Sequence, residues 1–96
     1  MLTPKQIDYA ARFWASRLKS IDDIPRFEKG LRLYLSKEGQ GCTAICCKNK
    51  PESVLEHVLK KLCLPISLFE TNTEMLFDVN GTVFVWENQR WQNITL

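Results

Sequence analysis

The residues with the most reactive side chains are concentrated in one segment of this 96-residue chain. Residues 42–63 contain all four cysteines and the only histidine: Cys42, Cys46, Cys47, His57 and Cys63. Thiolate and imidazole groups are common ligands of zinc, and a thiolate beside a histidine can act as a nucleophile. Because cysteine is also often buried as a small apolar residue, the segment has three interpretations: a metal site, a reactive thiol, or part of the core.

The spacing of these residues does not suit a zinc site. If the first part of the segment is an extended strand, Cys42 and Cys46 share a face but lie about 13 Å apart. The sulfur ligands of a zinc ion all lie about 2.3 Å from it. Cys46 and Cys47 point to opposite faces, and on a helix His57 and Cys63 lie about 120° apart around the axis. We therefore expect no metal and no other cofactor.

A catalytic thiol is also disfavoured, because it needs a nearby base and a positive environment such as a helix N-terminus. No cysteine lies at a predicted helix start, and His57 falls on the polar side of its helix. Lys48 and Lys50 could still lower the pKa of Cys47. We predict that Cys46 or Cys47, whichever faces inward, fills the core, and a thiol or zinc protein built on the segment is the alternative.

Composition and charge limit the function further. With 45% hydrophobic and 25% charged residues, the chain fits one domain over residues 1–96. A core of this size leaves little room for a deep catalytic cavity, and no Gly-rich phosphate loop or nucleophile motif occurs, so we predict a protein that is not an enzyme. The net charge of +2 is far from the basic excess of a dedicated nucleic-acid binder.

Hydropathy gives an expectation for the compartment. No stretch approaches the run of roughly 18 apolar residues that a transmembrane helix needs. The first residues also lack a signal-peptide core. We therefore expect a cytoplasmic protein that does not bind a membrane.

Local signals predict an α+β fold with the order ααβαβββ, in which helices pack on one side of a mainly antiparallel sheet. A capping box at Thr3-Pro4-Lys5-Gln6 predicts the first helix start. The predicted elements are a helix to about Lys19, a helix from after Asp22 or Asp23 to Gly39, a strand from Gly41 to Lys48, a helix from Pro51 to Pro65, and a C-terminal β-meander. The buried stripe predicted for the first helix is Ile7, Ala10, Ala11, Trp14, Leu18 and Ile21.

Two turn signals set the register of the meander. Asn80-Gly81 is the strongest hairpin signal, and as a two-residue type I′ turn it places Phe77 opposite Phe84. Asn88-Gln89 is a weaker signal that pairs Trp86 with Trp91. One predicted sheet face therefore carries Met75, Phe77, Phe84, Trp86 and Trp91, and the other carries Leu76, Val83, Val85, Ile94 and Leu96.

Both predicted faces are apolar, so either both faces of the sheet are covered by the rest of the chain or one face is exposed and available to a binding partner. An open tryptophan-rich face is typical of protein interfaces. Because the basic residues lie mainly on the second helix, protein binding ranks above base stacking. Two further groups complete the predicted binding residues: the basic stripe Arg26, Lys29, Arg32 and Lys37, which is alternatively a solvated helix face, and the aromatic pair Tyr9 and Phe13 on the first helix.

Three segments, LTPKQIDYAARFWASRLK, KPESVLEHVLKKLCLPISLF and MLFDVNGTVFVW, resemble a group of small proteins carried by bacteriophages and other mobile elements. The cysteine-rich strand departs from that group. The resemblance implies an accessory protein such as an anti-CRISPR or other anti-defence inhibitor, and it assigns no functional residue. We therefore expect a monomer or homodimer that binds a host protein or ribonucleoprotein complex and blocks it sterically, without direct nucleic-acid binding. Burial of the tryptophan face in a homodimer is a further alternative.

Overall fold

The computed structural model describes residues 1–96 as three α-helices and one four-stranded antiparallel sheet, which confirms the predicted α+β fold and element order. The elements are α1 (Pro4–Ser16), α2 (Ile24–Lys37), β1 (Ala44–Lys48), α3 (Ser53–Lys61), β2 (Asn72–Phe77), β3 (Val83–Glu87) and β4 (Arg90–Ile94), with 3-10 turns at Ile21–Asp23 and Ile66–Leu68. The strands are ordered β1-β2-β3-β4 across the sheet. None of the helices combines the length and the apolar character that a bilayer crossing requires.

The start of α1 matches its sequence signal, whereas its end does not. The Gln6 amide donates to Thr3 Oγ1 at 3.1 Å and the Thr3 amide donates to Gln6 Oε1 at 2.9 Å, so the predicted capping box is present. The helix ends at Ser16 and not near Lys19, because the Lys19 amide donates to the carbonyl of Leu68. Ile21 lies beyond this end and is 81% exposed, so its predicted burial is wrong.

The core lies between the helices and one face of the sheet. Trp14, Phe27 and Phe69 are its largest buried side chains, and Phe69 makes edge-to-face contacts with the other two rings. The sheet contributes the inner-face residues Ile45, Cys47, Met75, Val83 and Val85. Cys47 is fully buried, which confirms that one cysteine of the strand fills the core.

The predicted register between β2 and β3 is wrong by one residue. Phe77 pairs with Val83 and not with Phe84, because the Asp78 amide donates to the Thr82 carbonyl and leaves a loop of three residues. Gly81 has φ +89°, but Asn80 lacks the positive φ of a type I′ turn. A shift of one residue moves every side chain of a strand to the opposite face.

The weaker turn signal makes the tighter turn. Asn88 and Gln89 have φ of 55° and 63°, as a two-residue type I′ turn requires. Trp86 therefore pairs with Trp91 and Glu87 with Arg90, as predicted.

The C-terminal end of α3 places a cysteine where glycine is usual. The Leu64 amide donates to the Leu59 carbonyl at 2.9 Å and the Cys63 amide donates to the Lys60 carbonyl at 3.1 Å, which is a Schellman motif. Cys63 occupies the left-handed position with φ 58°. A side chain with a Cβ atom is strained in this region of φ.

We expect Cys63→Gly to raise the free energy of unfolding by about 0.5–1 kcal/mol, because glycine removes the Cβ strain at this exposed site. Urea unfolding followed by circular dichroism measures the change. Cys63→Ala is the matched control, since it removes the thiol and keeps the Cβ atom. An equal gain in stability in both variants would contradict the prediction, because it would come from loss of the thiol and not from loss of the Cβ atom.

A candidate protein-binding face of the sheet

The observed register sorts the strand residues into two faces of different character. Side chains alternate along each strand, so the residues that flank the inner-face residues point to the opposite side of the sheet. We name this side the outer face, and its residues are Ala44, Cys46, Lys48, Asn72, Glu74, Leu76, Phe84, Trp86, Trp91 and Asn93. Met75 and Phe77 lie on the inner face and Leu76 on the outer face, each opposite to the predicted placement.

Four apolar side chains form the centre of the outer face, and we name them the aromatic patch: Leu76, Phe84, Trp86 and Trp91. Leu76 pairs with Phe84 across β2 and β3, and Trp86 pairs with Trp91 across β3 and β4. None of the four belongs to the core or packs against it. Trp91 is 50% exposed, and the other three are partly exposed. The patch is therefore apolar surface that the fold itself does not cover.

Charge on the outer face is sparse and lies beside the patch. Lys48 and Glu74 are its only charged residues, and Glu74 lies directly opposite Trp86. A recess of about 360 Å³ beside Trp86 is lined by Lys48, Asn72 and Glu74. An apolar centre with a polar rim is the usual anatomy of a protein interface.

Tyr9 and Phe13, which were predicted to bind a partner, lie on α1 in the helix layer and pack against the core. Their ring centroids are 5.9 Å apart, and the Arg17 guanidinium lies 4.0 Å from the centroid of Phe13. Burial raises the pKa of Tyr9. The structure therefore does not bring this pair together with the aromatic patch.

A polar cluster beneath β3 was not predicted. Arg17 donates twice to the Glu87 carboxylate, at 3.0 Å and 2.6 Å, and the Thr73 hydroxyl donates to it at 3.0 Å. The hydrogen bonds from Arg17 hold the pKa of Glu87 below its usual value, with a smaller contribution from Thr73. The cluster ties α1 to the inner face of the sheet.

Two of the four residues of the predicted basic stripe on α2 are paired with acidic neighbours. Arg32 contacts Asp8 at 2.7 Å and Glu28 at 3.2 Å, and the hydrogen bond from Arg32 lowers the pKa of Asp8. Arg26 contacts Asp23 at 3.7 Å and donates to a backbone carbonyl at the end of α3.

The two lysines of the stripe differ from the arginines, since neither Lys29 nor Lys37 makes an ion pair. All four residues of the stripe lie in the helix layer, away from the outer face. The stripe therefore presents two free positive charges and not four.

The cysteine segment does not form a cluster. Cys63 is exposed at the end of α3. The His57 ring lies 5.0 Å from the Tyr34 ring in a tilted arrangement, and its Nε2 lies 3.5 Å from a carboxylate oxygen of Glu38. The strand begins at Ala44 and not at Gly41, and the Cys42 thiol donates to the carbonyl of Ala44 at 3.0 Å. No group of three or more His, Cys, Asp or Glu side chains is positioned to hold a metal ion.

The thiols of Cys42, Cys46 and Cys47 are not activated by their surroundings. Burial raises the pKa of Cys42, Cys46 and Cys47, and for Cys46 the neighbouring carboxylate of Glu74 adds to the effect. A raised pKa reduces the thiolate fraction at neutral pH, and the thiolate is the nucleophile. The surroundings therefore disfavour a reactive role for all three thiols, and Cys42 and Cys47 pack in or against the core.

A groove lies between α2 and α3 in the helix layer. It measures about 350 Å³ and is lined by Leu33, Leu62 and Lys37 among others. Gly30 forms part of its wall, and a Cβ atom there would lie 2.9 Å from the side chain of Leu62. Leu33 is exposed, and Tyr34 is the only aromatic residue that lines the groove, whereas the aromatic patch contains three aromatic side chains.

Comparison with known proteins adds no constraint to this geometry. No protein-family model matches the chain, and no curated protein or solved structure matches it.

Proposed function

We propose that the protein is a non-enzymatic binding module that attaches its aromatic patch to a larger host complex and blocks that complex sterically in the cytoplasm. The observation behind the proposal is the position of Leu76, Phe84, Trp86 and Trp91 on a sheet face outside the core. Large apolar side chains that a fold leaves uncovered commonly mark an interaction surface.

The energetics of the patch favour a protein partner. Tryptophan and phenylalanine have few rotatable bonds, so little side-chain entropy is lost when they are buried. Their positions on β3 and β4 are fixed by backbone pairing on both sides of β3. A rigid aromatic surface needs little reorganisation on binding, and this favours the formation of interface hot spots.

The chemistry of the surroundings supports a protein surface over a nucleic acid. Only Lys48 among the outer-face residues is positively charged, and Glu74 lies beside it on the next strand. Nucleic-acid binders combine stacking aromatic residues with a basic groove, because the phosphate backbone supplies much of the affinity. The resemblance to small phage-borne proteins supports an inhibitor of a host defence or nucleic-acid-processing complex, such as an anti-CRISPR protein.

We expect the protein to restore plaque formation by a phage that the CRISPR system of the bacterial host targets. The double variant Trp86→Ala, Trp91→Ala should lose this activity, because removal of each hot-spot tryptophan weakens binding by about 2 kcal/mol, or roughly 30-fold in Kd. The efficiency of plating measures the activity. Recovery of the inhibited complex from the host lysate with tagged protein measures the binding directly.

The double variant Lys5→Ala, Lys60→Ala is the matched control, since it removes two exposed side chains from the helix layer, neither of them a predicted binding residue, and leaves the outer face intact. It should behave as the wild type does in both measurements. Equal activity and recovery for the wild type and the tryptophan variant, with the variant folded by circular dichroism, would remove the outer face from consideration.

A further inference from the structure

The two edges of the sheet are protected differently. At the β1 edge, the chain that follows the strand folds back against it. Cys47 forms a bridge with Pro51, the Glu52 amide donates to the Cys46 carbonyl, and the Lys48 amide donates to the Lys50 carbonyl, both at 3.2 Å. This return segment occupies backbone groups of β1 that would otherwise face solvent.

At the other edge, β4 has no such cover. A two-residue hairpin closes on a hydrogen-bonded pair, so Glu87 and Arg90 exchange backbone hydrogen bonds, and the pairs alternate from there along the strand. The alternation directs the backbone N–H and C=O groups of Trp91 and Asn93 away from β3. All residues of β4 except Ile94 are exposed. The free edge therefore presents two residues with unpaired donors and acceptors.

β4 also lacks the features by which edge strands usually avoid pairing with another chain. Its sequence, RWQNI, contains no proline, and its pairing with β3 runs without a bulge over five residue pairs. The only charged residue is Arg90, at the turn end of the strand. Proline, bulges and charges on the strand are the common protections of an exposed edge. An edge without them is a template for a further strand.

We propose that two copies of the chain pair antiparallel through β4 about a two-fold axis at Gln92, and form one continuous eight-stranded sheet. This register overlaps all five residues of the strand with its copy. Trp91 and the second copy's Asn93 then exchange two backbone hydrogen bonds, and the symmetry repeats this pair on the other side of the axis.

The side chains of β4 suit this register. The two Gln92 side chains meet at the axis, and an amide has both a donor and an acceptor, so it is complementary to its own copy. Arg90 lies opposite the second copy's Ile94. The two Arg90 residues are about four positions apart along the strands, or about 13 Å, which exceeds the Debye length at physiological salt. The pairing therefore brings no like charges together.

The dimer extends the outer face without covering it. The two-fold axis is perpendicular to the sheet, so the two aromatic patches lie on the same side. Trp91 and the second copy's Trp91 become diagonal neighbours across the axis. The proposed host partner would then meet one symmetric aromatic surface built from both copies. Dimerisation through β4 does not require partner binding by the aromatic patch, and partner binding does not require the dimer.

Light scattering of the purified wild type tests the proposal directly. We expect the measured mass to approach twice that of one chain as the concentration rises from about 10 μM to about 1 mM, the range in which weak association becomes visible. A protein that remains monomeric over this whole range would overturn the proposal. In that case β4 could pair only with a strand of a different protein.

Asn93→Pro separates edge pairing from the other routes to a dimer. Proline removes the outward N–H and adds its ring to the free edge, and the hydrogen bonds to β3 involve the neighbouring residues. We expect this variant to be monomeric at concentrations at which the wild type is dimeric. Asn93→Thr, which keeps the N–H, should dimerise as the wild type does. A dimer that persists in the folded proline variant would show that the contact lies elsewhere, for example at the tryptophan face.

A cysteine at the axis gives a second readout that does not depend on the proline variant. In a Cys63→Ser background, Gln92→Cys places two thiols directly opposite each other at a non-hydrogen-bonded pair, where Cβ atoms lie about 4.5–5.5 Å apart. Mild oxidation should then give a covalent dimer at least tenfold faster than Asn88→Cys in the same background, whose thiol lies in the turn. Equal rates for the two cysteine variants would contradict the proposed register.

Discussion

Replacement of Gln6 by glutamate is expected to lower the free energy of unfolding by about 3–5 kcal/mol at pH 7, because it places a buried carboxylate against two carbonyl groups. Gln6 is 1% exposed. Its side-chain amide donates to the carbonyl of Asp78 at 2.8 Å and to that of Thr82 at 3.0 Å, while its carbonyl accepts from the Thr3 amide. A carboxylate cannot donate either hydrogen bond and repels both carbonyl oxygens.

The effect of this substitution depends on pH with a definite sign. Burial beside two carbonyl groups raises the pKa of the new carboxyl in the folded state above its value in the unfolded chain, about 4.3. The variant is therefore most stable below that pH, where the protonated acid can donate one hydrogen bond, and it loses stability as the pH rises through the folded pKa. Urea unfolding at pH 4 and pH 7 measures the difference.

Gln6→Met is the matched control, because methionine has a similar length and carries no charge. It should cost about 2–3 kcal/mol with little dependence on pH, because the Thr3 amide loses its acceptor and the carbonyls of Asp78 and Thr82 each keep only their backbone hydrogen bond. The same loss for the glutamate and the methionine variants at pH 7 would show that water reaches this site and that the amide is not an essential link.

Arg17→Met is expected to lower the free energy of unfolding by about 2 kcal/mol at pH 7, because it leaves Glu87 without its two charged hydrogen bonds. The side chains of the pair are 33% and 23% exposed, so solvent screens them only in part. Arg17 also covers the ring of Phe13, and methionine retains some of that apolar contact.

The contribution of this ion pair should disappear in acid. Arg17 lowers the pKa of Glu87 in the folded protein, so the stabilisation is fully present above the unfolded pKa of about 4.5 and is lost as the pH falls through the lower folded value. The difference between wild type and variant, measured by urea unfolding from pH 7 to pH 2, should therefore narrow below about pH 4.5.

Arg12→Met is the control for removal of a positive charge from the same helix. Arg12 contacts Asp8 in an exposed pair at 3.3 Å, and such pairs contribute at most about 0.5 kcal/mol. The Arg17 prediction is wrong if both variants lose the same amount of stability, or if the loss in Arg17→Met does not change with pH.

Features that depend on neighbouring residues were predictable from the sequence. The capping box of α1 needs only Thr3 and Gln6, and the turn at Asn88 and Gln89 needs only two residues that tolerate positive φ. The element order followed from such signals, and so did the burial of Cys47 or its neighbour. The end of α1 was missed because its cause, the hydrogen bond from Lys19 to Leu68, joins residues far apart in the chain.

The candidate site was predictable only in part, for the same physical reason. Phe84, Trp86 and Trp91 share a face as expected, whereas the loop of three residues moved Phe77 to the inner face. The side chain of Gln6 holds both carbonyls that flank this loop, and no local pattern announces a contact across more than seventy residues. The contacts of Arg17 with Glu87 and of Arg32 with Asp8 were missed likewise, since each acidic partner lies on another element.

The length of the loop between β2 and β3 determines which side chains of β3 and β4 face solvent. Only Val79, Asn80 and Gly81 separate the flanking pair Asp78 and Thr82, and Val79 is almost wholly in solvent. Deletion or insertion of one residue in this loop would shift the register of β3 against β2 by one residue. Trp86 and Trp91 would then face the helices, and Val83 and Val85 would face solvent. A change in the length of this loop would therefore move Phe84, Trp86 and Trp91 from the outer face to the inner face without any substitution at these positions.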